Sequence, residues 1–471
     1  MNWGKKEKRL DPAYYIPSLV ELEEKVLRIA TKNGVVQRLR HFIINMAGGA
    51  TPKVEDDSKY SDENNGVPFI RVQNLSSEGT LNLEDVKYIN RETHTKDLRR
   101  SAFNDQDLIV KITGVGRMAI ASIAPKNFEG NINQHSVRIV TGDRKISETL
   151  AAYLNLDFVE KLASRRATGG TRPALDYPAL RSIPIIFDER ITDMFRMARE
   201  TKQANEQKAQ DILNGIDSYL LSELSIEIPE KLENIIDDRK FIRNFCKVSG
   251  KRFDPFFHED YFMKINRAVE NSIYDVFYLK DTFRKKEVKG YLPKAEEKIG
   301  HNNVVQINSI NKWGVINTQN LLKAGDVFSK NQLLAKNDVL IVITGATIGK
   351  VGFWKYDESN YYLGGDIIKF ATKDNVNPYF VYYYLRSTPA QSEFRRNITG
   401  ATNGHLSPQD IRNLRIPIPN IDQQNKIASI IHQMHEHALK LIEKSNITFN
   451  NSKSKIEQLI LDERQDDYIV F

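Results

Sequence analysis

The sequence predicts an α+β protein built by tandem duplication: two mixed α/β domains separated by two long antiparallel helices that pair as a coiled coil. Three observations carry this expectation. Segments of the first half return, in the same order, in the second half. Short apolar runs in both halves end in Thr-Gly turns, as strands do when a glycine must supply an unusual backbone conformation. Two long stretches without Gly-Pro punctuation stand at equivalent places in the two halves.

The repeat is legible throughout. "RLDPAYY" at 9–15 returns as "RFDPFFH" at 252–258, and "RVQNLSSEGTLN" at 71–82 as "QINSINKWGVIN" at 306–317. "DLIVKITG" (107–114) pairs with "DVLIVITG" (338–345), "QHSVRI" (134–139) with "GDIIKF" (365–370), and "TGGTRPAL" (168–175) with "TGATNGHL" (399–406). The last three share one offset of 231 positions. Each copy closes on a proline-punctuated stretch, "RSIPIIF" (181–187) and "LRIPIPN" (414–420).

Each half begins with a short helical arm, about 16–32 and 259–272, announced by an Asp-Pro turn and an amphipathic run. A β-rich globular segment follows, and then a long helix. The first helix is expected from Glu189 to about Leu224, between Pro184 and Pro229; the second runs from Ile421, with no proline after Pro419. In the second, Ile427, Ile431, Met434, Ala438 and Leu441 recur at steps of four and three, the spacing of one helix face packing on another. Thr201, Asn205 and Lys208 interrupt the seam of the first before Ile212, Ile216 and Leu220. At 1.5 Å per residue such helices are roughly 50 Å long. The expected division is an arm (1–34), a first domain (35–187), a helical spacer with the second arm (188–274), a second domain (275–419) and a closing helix (420–471).

Composition narrows the function classes. Sixty-eight Lys and Arg against 61 Asp and Glu leave a net charge of +7, a mild excess that suits a polyanionic partner. Cys246 is the single cysteine, so an internal disulfide and a thiolate zinc cluster are both excluded. The stretch "MNWGKKEKRLDPAYY" has no signal-peptide core, and no run approaches the ~18 apolar residues of a spanning helix. A cytoplasmic protein with no membrane partner is expected.

Several catalytic motifs are approached and missed. Gly345-Ala-Thr-Ile-Gly349-Lys350 is one residue short of a phosphate-binding loop, and Val351 stands where the metal-binding hydroxyl belongs. The first copy writes that place Thr113-Gly114-Val115-Gly116-Arg117, which reads as a tight turn presenting one cation. Asn377-Pro378-Tyr379-Phe380 lacks the second proline of the Asn-Pro-Pro-Tyr loop that holds an extruded base, and no Gly-rich cofactor loop follows any strand. His432, His435 and His437 cluster on the second long helix, where surface positions are expected rather than metal ligands. The chain is therefore expected to be non-catalytic, with neither metal nor cofactor of its own.

Basic and amide side chains recur at the turns of both domains. Arg165-Arg166 precede "ATGGTRPAL" as Arg395-Arg396 precede "ITGATNGHL". Arginine can clamp phosphate or pair bidentately with guanine, and asparagine can pair with adenine. Lys111, Arg117 and Arg138 in the first domain, and Lys350 and Lys369 in the second, join them as candidate DNA contacts. The loops themselves differ: Thr171, Arg172 and Pro173 in one, Thr402, Asn403 and Gly404 in the other, with His405 next in line. A shared scaffold with different exposed residues is what two reading heads of different specificity need.

At "TGATIGKVGF", "RRNITGATNGHLSPQDIRNLRIPIP" and "DQQNKIASII" the chain resembles the specificity subunits of type I restriction-modification enzymes, with weaker echoes in the first half. The resemblance implies two target-recognition domains, each reading one half of a split site in double-stranded DNA. The helices between them would measure the unread spacer and dock two methyltransferase subunits, with Ile212, Ile216, Ile427, Ile431 and Met434 as the apolar positions offered. S-adenosylmethionine would sit on those partners, which methylate adenine, and motor and nuclease subunits would complete the complex. The first domain writes "TGVGRMA" where the second has the fuller turn, and the arm "RLDPAYY" is prominent. Both leave open a type IIB-like specificity subunit, or an adaptor whose helices bind protein and whose domains do not read DNA.

Overall fold

The computed structural model describes residues 12–53, 56–230, 242, 252–400 and 404–462. Cys246, Thr402 and Asn403 lie outside the described residues. The chain forms two compact units: residues 1–206 with 442–471, and residues 207–441.

Unit 1 opens with helix α1 (Pro17–Ile29), preceded by the single turn Pro12–Tyr15 that the Asp-Pro step predicts. Its main strands are β1 (Asn45–Gly48), β2 (Val67–Ile70), β3 (Lys87–Ile89), β4 (Leu108–Lys111), β5 (Ala121–Ile123), β6 (Glu129–Ile132) and β7 (Ser136–Val140). An antiparallel sheet has the order β1-β7-β4-β5, with Val137 opposite both Gly48 and Val110. In a second sheet β2 lies between β3, antiparallel to it, and β6, parallel to it. Two short strands, Tyr60–Ser61 and Ala102–Asn104, flank that sheet. Helices α2 (Arg144–Leu154), α3 (Asp157–Arg166) and α4 (Tyr177–Arg181) come next, and then the long α5 (Glu189–Glu223).

Unit 2 repeats the plan. Helix α6 (Asp260–Glu270) is followed by β8 (Val288–Lys289), β9 (Asn302–Val305), β10 (Leu322–Ala324), β11 (Val339–Val342), β12 (Val351–Phe353), β13 (Tyr361–Leu363) and β14 (Ile367–Phe370). Its four-stranded sheet, β8-β14-β11-β12, is antiparallel throughout, and β9 again pairs antiparallel with β10 and parallel with β13. Helices α7 (Pro378–Arg386), α8 (Thr388–Asn397), α9 (Pro408–Arg412) and α10 (Ile421–Leu461) complete the chain.

The apolar runs do not alternate because the four-stranded sheets are covered on both faces. Leu108 and Val110 pack with Leu150, Tyr153 and Leu154 of α2, whereas Ile109 faces Ile70, Phe103 and Ile132 of the second sheet. In unit 2, Val339 and Ile341 meet Phe380 and Tyr384 of α7, while Leu340 and Val342 meet Val305, Leu363 and Trp354. Asn377, whose surroundings in sequence approach a base-flipping loop, is the N-cap of α7: its side chain accepts a hydrogen bond from the Phe380 amide at 3.0 Å.

Within each unit the long helices pair antiparallel. In unit 1 the Phe195 and Phe449 rings meet edge to face at 5.4 Å, and Ser445 Oγ donates to the Lys202 carbonyl at 3.1 Å. In unit 2, Ile216 and Leu220 of α5, with Leu224 just beyond its end, share a cluster with Ile427 and Ile431 of α10, and Gln423 Nε2 donates to Glu223 Oε2 at 2.9 Å. Lys202 turns to Glu78, on the loop between β2 and β3, and covers the Phe449 ring at 5.6 Å. Among the described residues, no helix is long and apolar enough to cross a membrane.

Candidate nucleic-acid interface

At the β4 end of unit 1, two loops that lie far apart in sequence join. The Gly114 amide donates to the Pro173 carbonyl at 3.0 Å, the Leu175 amide to Ile112 at 2.8 Å, and Thr168 and Ala174 exchange both backbone bonds. The turn needs left-handed backbone, with φ of +115° at Gly114 and +81° at Gly116, so a β-carbon at either position would strain it. Unit 2 builds the same junction: the Leu406 amide donates to Ile343 at 2.9 Å, and Thr399 and His405 exchange backbone bonds. Residues 168–172 are exposed, as are Val115, Gly345, Ala346, Thr399 and Gly400. Each unit therefore presents a paired-loop edge of open backbone and small residues, which a phosphate or a base edge can approach closely.

The candidate contact residues divide sharply. Arg172 and Thr171 are exposed on the loop, Arg395 is exposed in the last turn of α8, and His405 is half-buried at the junction. The other cations, also expected at DNA, are engaged inside their own units. Lys111 is 4% exposed and donates to the Val115 carbonyl at 2.8 Å across its own turn; burial pushes its ammonium below the usual lysine range. Lys350 does likewise toward Ile310 at 2.9 Å, with the same downward push from burial. Arg117 pairs with Asp157 at 2.6 Å and donates to the Leu156 carbonyl at 2.8 Å. Arg138 is held on the buried Asp107 at 2.8 Å, and Lys369 on the buried Asp338 at 2.6 Å.

The paired arginines have a shared structural task. Arg165 and Arg166 are buried against Glu23 of α1, and Arg165 also lies 4.0 Å over the Tyr14 ring and donates to the Tyr14 carbonyl at 2.6 Å. In unit 2, Arg396 lies 4.0 Å over the Phe257 ring and donates to its carbonyl at 2.8 Å. A planar guanidinium can stack on a ring and satisfy a carbonyl at once, which ties each arm to its domain. The "DPAYY" and "DPFFH" motifs recur because they supply that ring.

The apolar helix positions are also engaged internally. Ile427 and Ile431 are fully buried in the unit 2 core with Ile216 packed against it, so they form the helix seam rather than an outward docking face. Ile212 and Met434 are half-buried. His435, expected at the surface, is 5% exposed, because the loop after β9 folds onto α10 there: His435 Nε2 lies 3.0 Å from the Trp313 carbonyl. Its neighbour His432 lies 3.1 Å from the Tyr383 hydroxyl. Among the described residues, no group of three or more His, Cys, Asp or Glu side chains is arranged to hold a metal. Reasoning from sequence missed Asp107 and Asp338 as the owners of Arg138 and Lys369, although acid and base recur together, 231 positions apart, in the aligned repeats.

Residues 271–450 match the family model described as the type I restriction modification DNA specificity domain. The Type I restriction enzyme EcoBI specificity subunit of Escherichia coli is 26% identical over 135 residues, 28% of this chain. That match spans only 27% of the relative's length. A solved structure described as the structural basis underlying complex assembly and conformational transition of the type I R-M system is 14% identical, covering 90% of this chain and 96% of the other, with a TM-score of 0.43. The S subunit of a type I system from M. genitalium is 14% identical, covering 92% of this chain and 97% of that one, with a TM-score of 0.34. The chain is thus similar, over residues 271–450, to the type I restriction modification DNA specificity domain.

Proposed function

We propose that this chain is the non-catalytic DNA-specificity subunit of a type I restriction-modification complex. Each unit reads one half of a bipartite duplex site through its paired-loop edge. Arg172 is placed to clamp phosphate or to pair with guanine in unit 1, while Thr402 and Asn403 supply different donors and acceptors in unit 2. The helices α5 and α10 set the length of the unread spacer and dock two methyltransferase subunits. Those partners carry S-adenosylmethionine and methylate adenine, and motor and nuclease subunits act on the assembled complex in the cytoplasm. This chain binds no S-adenosylmethionine of its own.

One observation carries the reading. The four-stranded sheet and its loop junction appear twice with the same strand order, and the exposed residues of the two junction loops differ. The family match over residues 271–450 supports it independently. The test is reconstitution with a methyltransferase subunit of a type I system. Labelled S-adenosylmethionine should methylate duplex DNA at one bipartite sequence only when both proteins are present. Methyl transfer by the isolated chain, or sequence-independent methylation by the pair, would refute it.

A further inference from the structure

At the other end of the unit 1 sheet from the paired loops, between α2 and the first turns of α5, lies an open cavity of about 540 Å³. Five cations line it, Lys126, Arg144, Lys145, Arg196 and Arg199, against two carboxylates, Asp143 and Glu148. Both carboxylates have internal duties. Asp143 caps α2, accepting from the Lys145 amide at 2.6 Å, and Glu148 pairs with Arg144 at 2.9 Å. Lys145 and Arg196 pair with Glu189 and Asp193 at 2.5 and 2.6 Å, both well exposed to water, where such pairs exchange readily. Arg199 stands apart: among the described residues it has no carboxylate within ion-pair distance, only the Glu78 carbonyl at 3.4 Å. Burial pushes its guanidinium below the usual range, against the opposing pull of Glu200, Glu148 and Glu78 nearby.

The repeat supplies an internal control. The floor of the cavity is Ala151 and Ala152, and the same places in unit 2 are Tyr382 and Tyr383. Glu148 becomes Tyr379, and Arg144 and Lys145 become Asn375 and Val376. In the register of the proline-punctuated stretches at 181–187 and 414–420, Arg199 becomes His432. There the rings fill the space: Tyr379 lies 4.8 Å from His432, Tyr383 bonds to His432, and a cavity of only about 40 Å³ remains. The scaffold therefore folds without the cations and without the void. Their presence in unit 1 alone, with alanines that clear the space, is not a requirement of the fold.

We propose that unit 1 carries a binding pocket for a phosphate-bearing ligand, held by Arg199 and Lys145, with Arg144, which donates to Glu148 and to the Asp105 and Ala124 carbonyls, forming its wall. The volume suits a diphosphate or a mononucleotide, and the cations supply charge-assisted hydrogen bonds to its oxygens. The phosphate can belong to a free small molecule or to a DNA backbone, and the assay separates the two sources.

The experiment is calorimetric titration of the full-length chain with inorganic pyrophosphate, and separately with a duplex oligonucleotide. It is repeated on Arg199→Gln/Lys145→Gln and on Ala152→Tyr, which borrows the unit 2 solution. Thermal melts establish that each variant is folded, and the double charge variant suffices if the tyrosine is not accommodated. A free ligand gives saturable pyrophosphate binding that falls about tenfold or more in the charge variant and vanishes in Ala152→Tyr. A backbone contact gives no pyrophosphate binding, but the same tenfold weakening for duplex DNA. The proposal is overturned if neither affinity responds to the variants. Pyrophosphate binding is independent of target reading, so failure here leaves the DNA-specificity reading standing.

Discussion

Lys369 Nζ lies 2.6 Å from Asp338 Oδ2 inside the four-stranded sheet of unit 2, and the counterpart of that pair stands 231 positions earlier as Arg138 on Asp107. Asp338 is 3% exposed and also accepts from the Ala335 amide at 2.9 Å. Lys369→Met leaves that carboxylate buried and unpaired, and should cost about 3–5 kcal/mol. The double change Lys369→Met with Asp338→Leu should recover part of the loss, short of full recovery because the Ala335 amide loses its acceptor. Denaturant melts of the three variants check this. A Lys369→Met protein as stable as the parent would contradict the pairing.

A surface arginine and a buried one should behave oppositely. Arg172→Ala is expected to leave stability within about 0.5 kcal/mol, but to weaken duplex binding and lower the salt slope of log K by about one if it holds a phosphate. Arg165→Ala should destabilise by about 2–4 kcal/mol, since it strips Glu23 of a buried partner and uncovers the Tyr14 ring. Salt-dependent binding isotherms and melts on both variants make the comparison.

The same two arginines separate the legible from the illegible in the sequence. The strands at 108–111 and 339–342 are visible there because both faces of the sheet are buried, which makes their apolar runs continuous. The long helices are visible because Pro184 and Pro419 punctuate their starts and no Gly-Pro break interrupts the apolar seams beyond them. The destination of each cation is not visible. Arg165 finds its counter-charge on Glu23, some 140 positions away, and only the folded arm brings them together. His435 escapes prediction for the same reason, since the loop that buries it comes from Trp313. Arg172 and Arg395 stay exposed because no element among the described residues covers them.

His435 makes stability depend on pH. Burial, reinforced by the nearby Arg386, pushes its imidazole down to about 4, with His432 and Lys355 also disfavouring a charge; the Trp313 carbonyl favours it, and the Tyr383 hydroxyl is its remaining polar neighbour. An unfolded histidine titrates near 6.5, so the unfolded chain binds the proton first as pH falls. The contribution is intact above about pH 6.5 and is lost progressively down to about pH 4, amounting to about 3 kcal/mol. His435→Gln should show a correspondingly flatter profile in denaturant melts over that range. Parallel profiles for the two proteins would contradict it.

The helices, if they measure the spacer, respond to length. Four residues inserted after Ile212 add about one turn, roughly 6 Å of helix. Since duplex DNA advances 3.4 Å per base pair, the half-sites should stay the same and the gap between them should lengthen by one or two base pairs. Unaltered spacing in a stably folded variant would remove the helices from that role.

The most direct measurement concerns the two reading heads. Residues 35–187 are replaced by the corresponding domain of another specificity subunit, and methylated adenines are mapped genome-wide in cells carrying the hybrid with its methyltransferase partner. Independent reading by the two units predicts a new bipartite motif in which one half has changed and the other is retained unaltered. A motif with both halves changed, or with neither changed while the hybrid is folded and active, would contradict it.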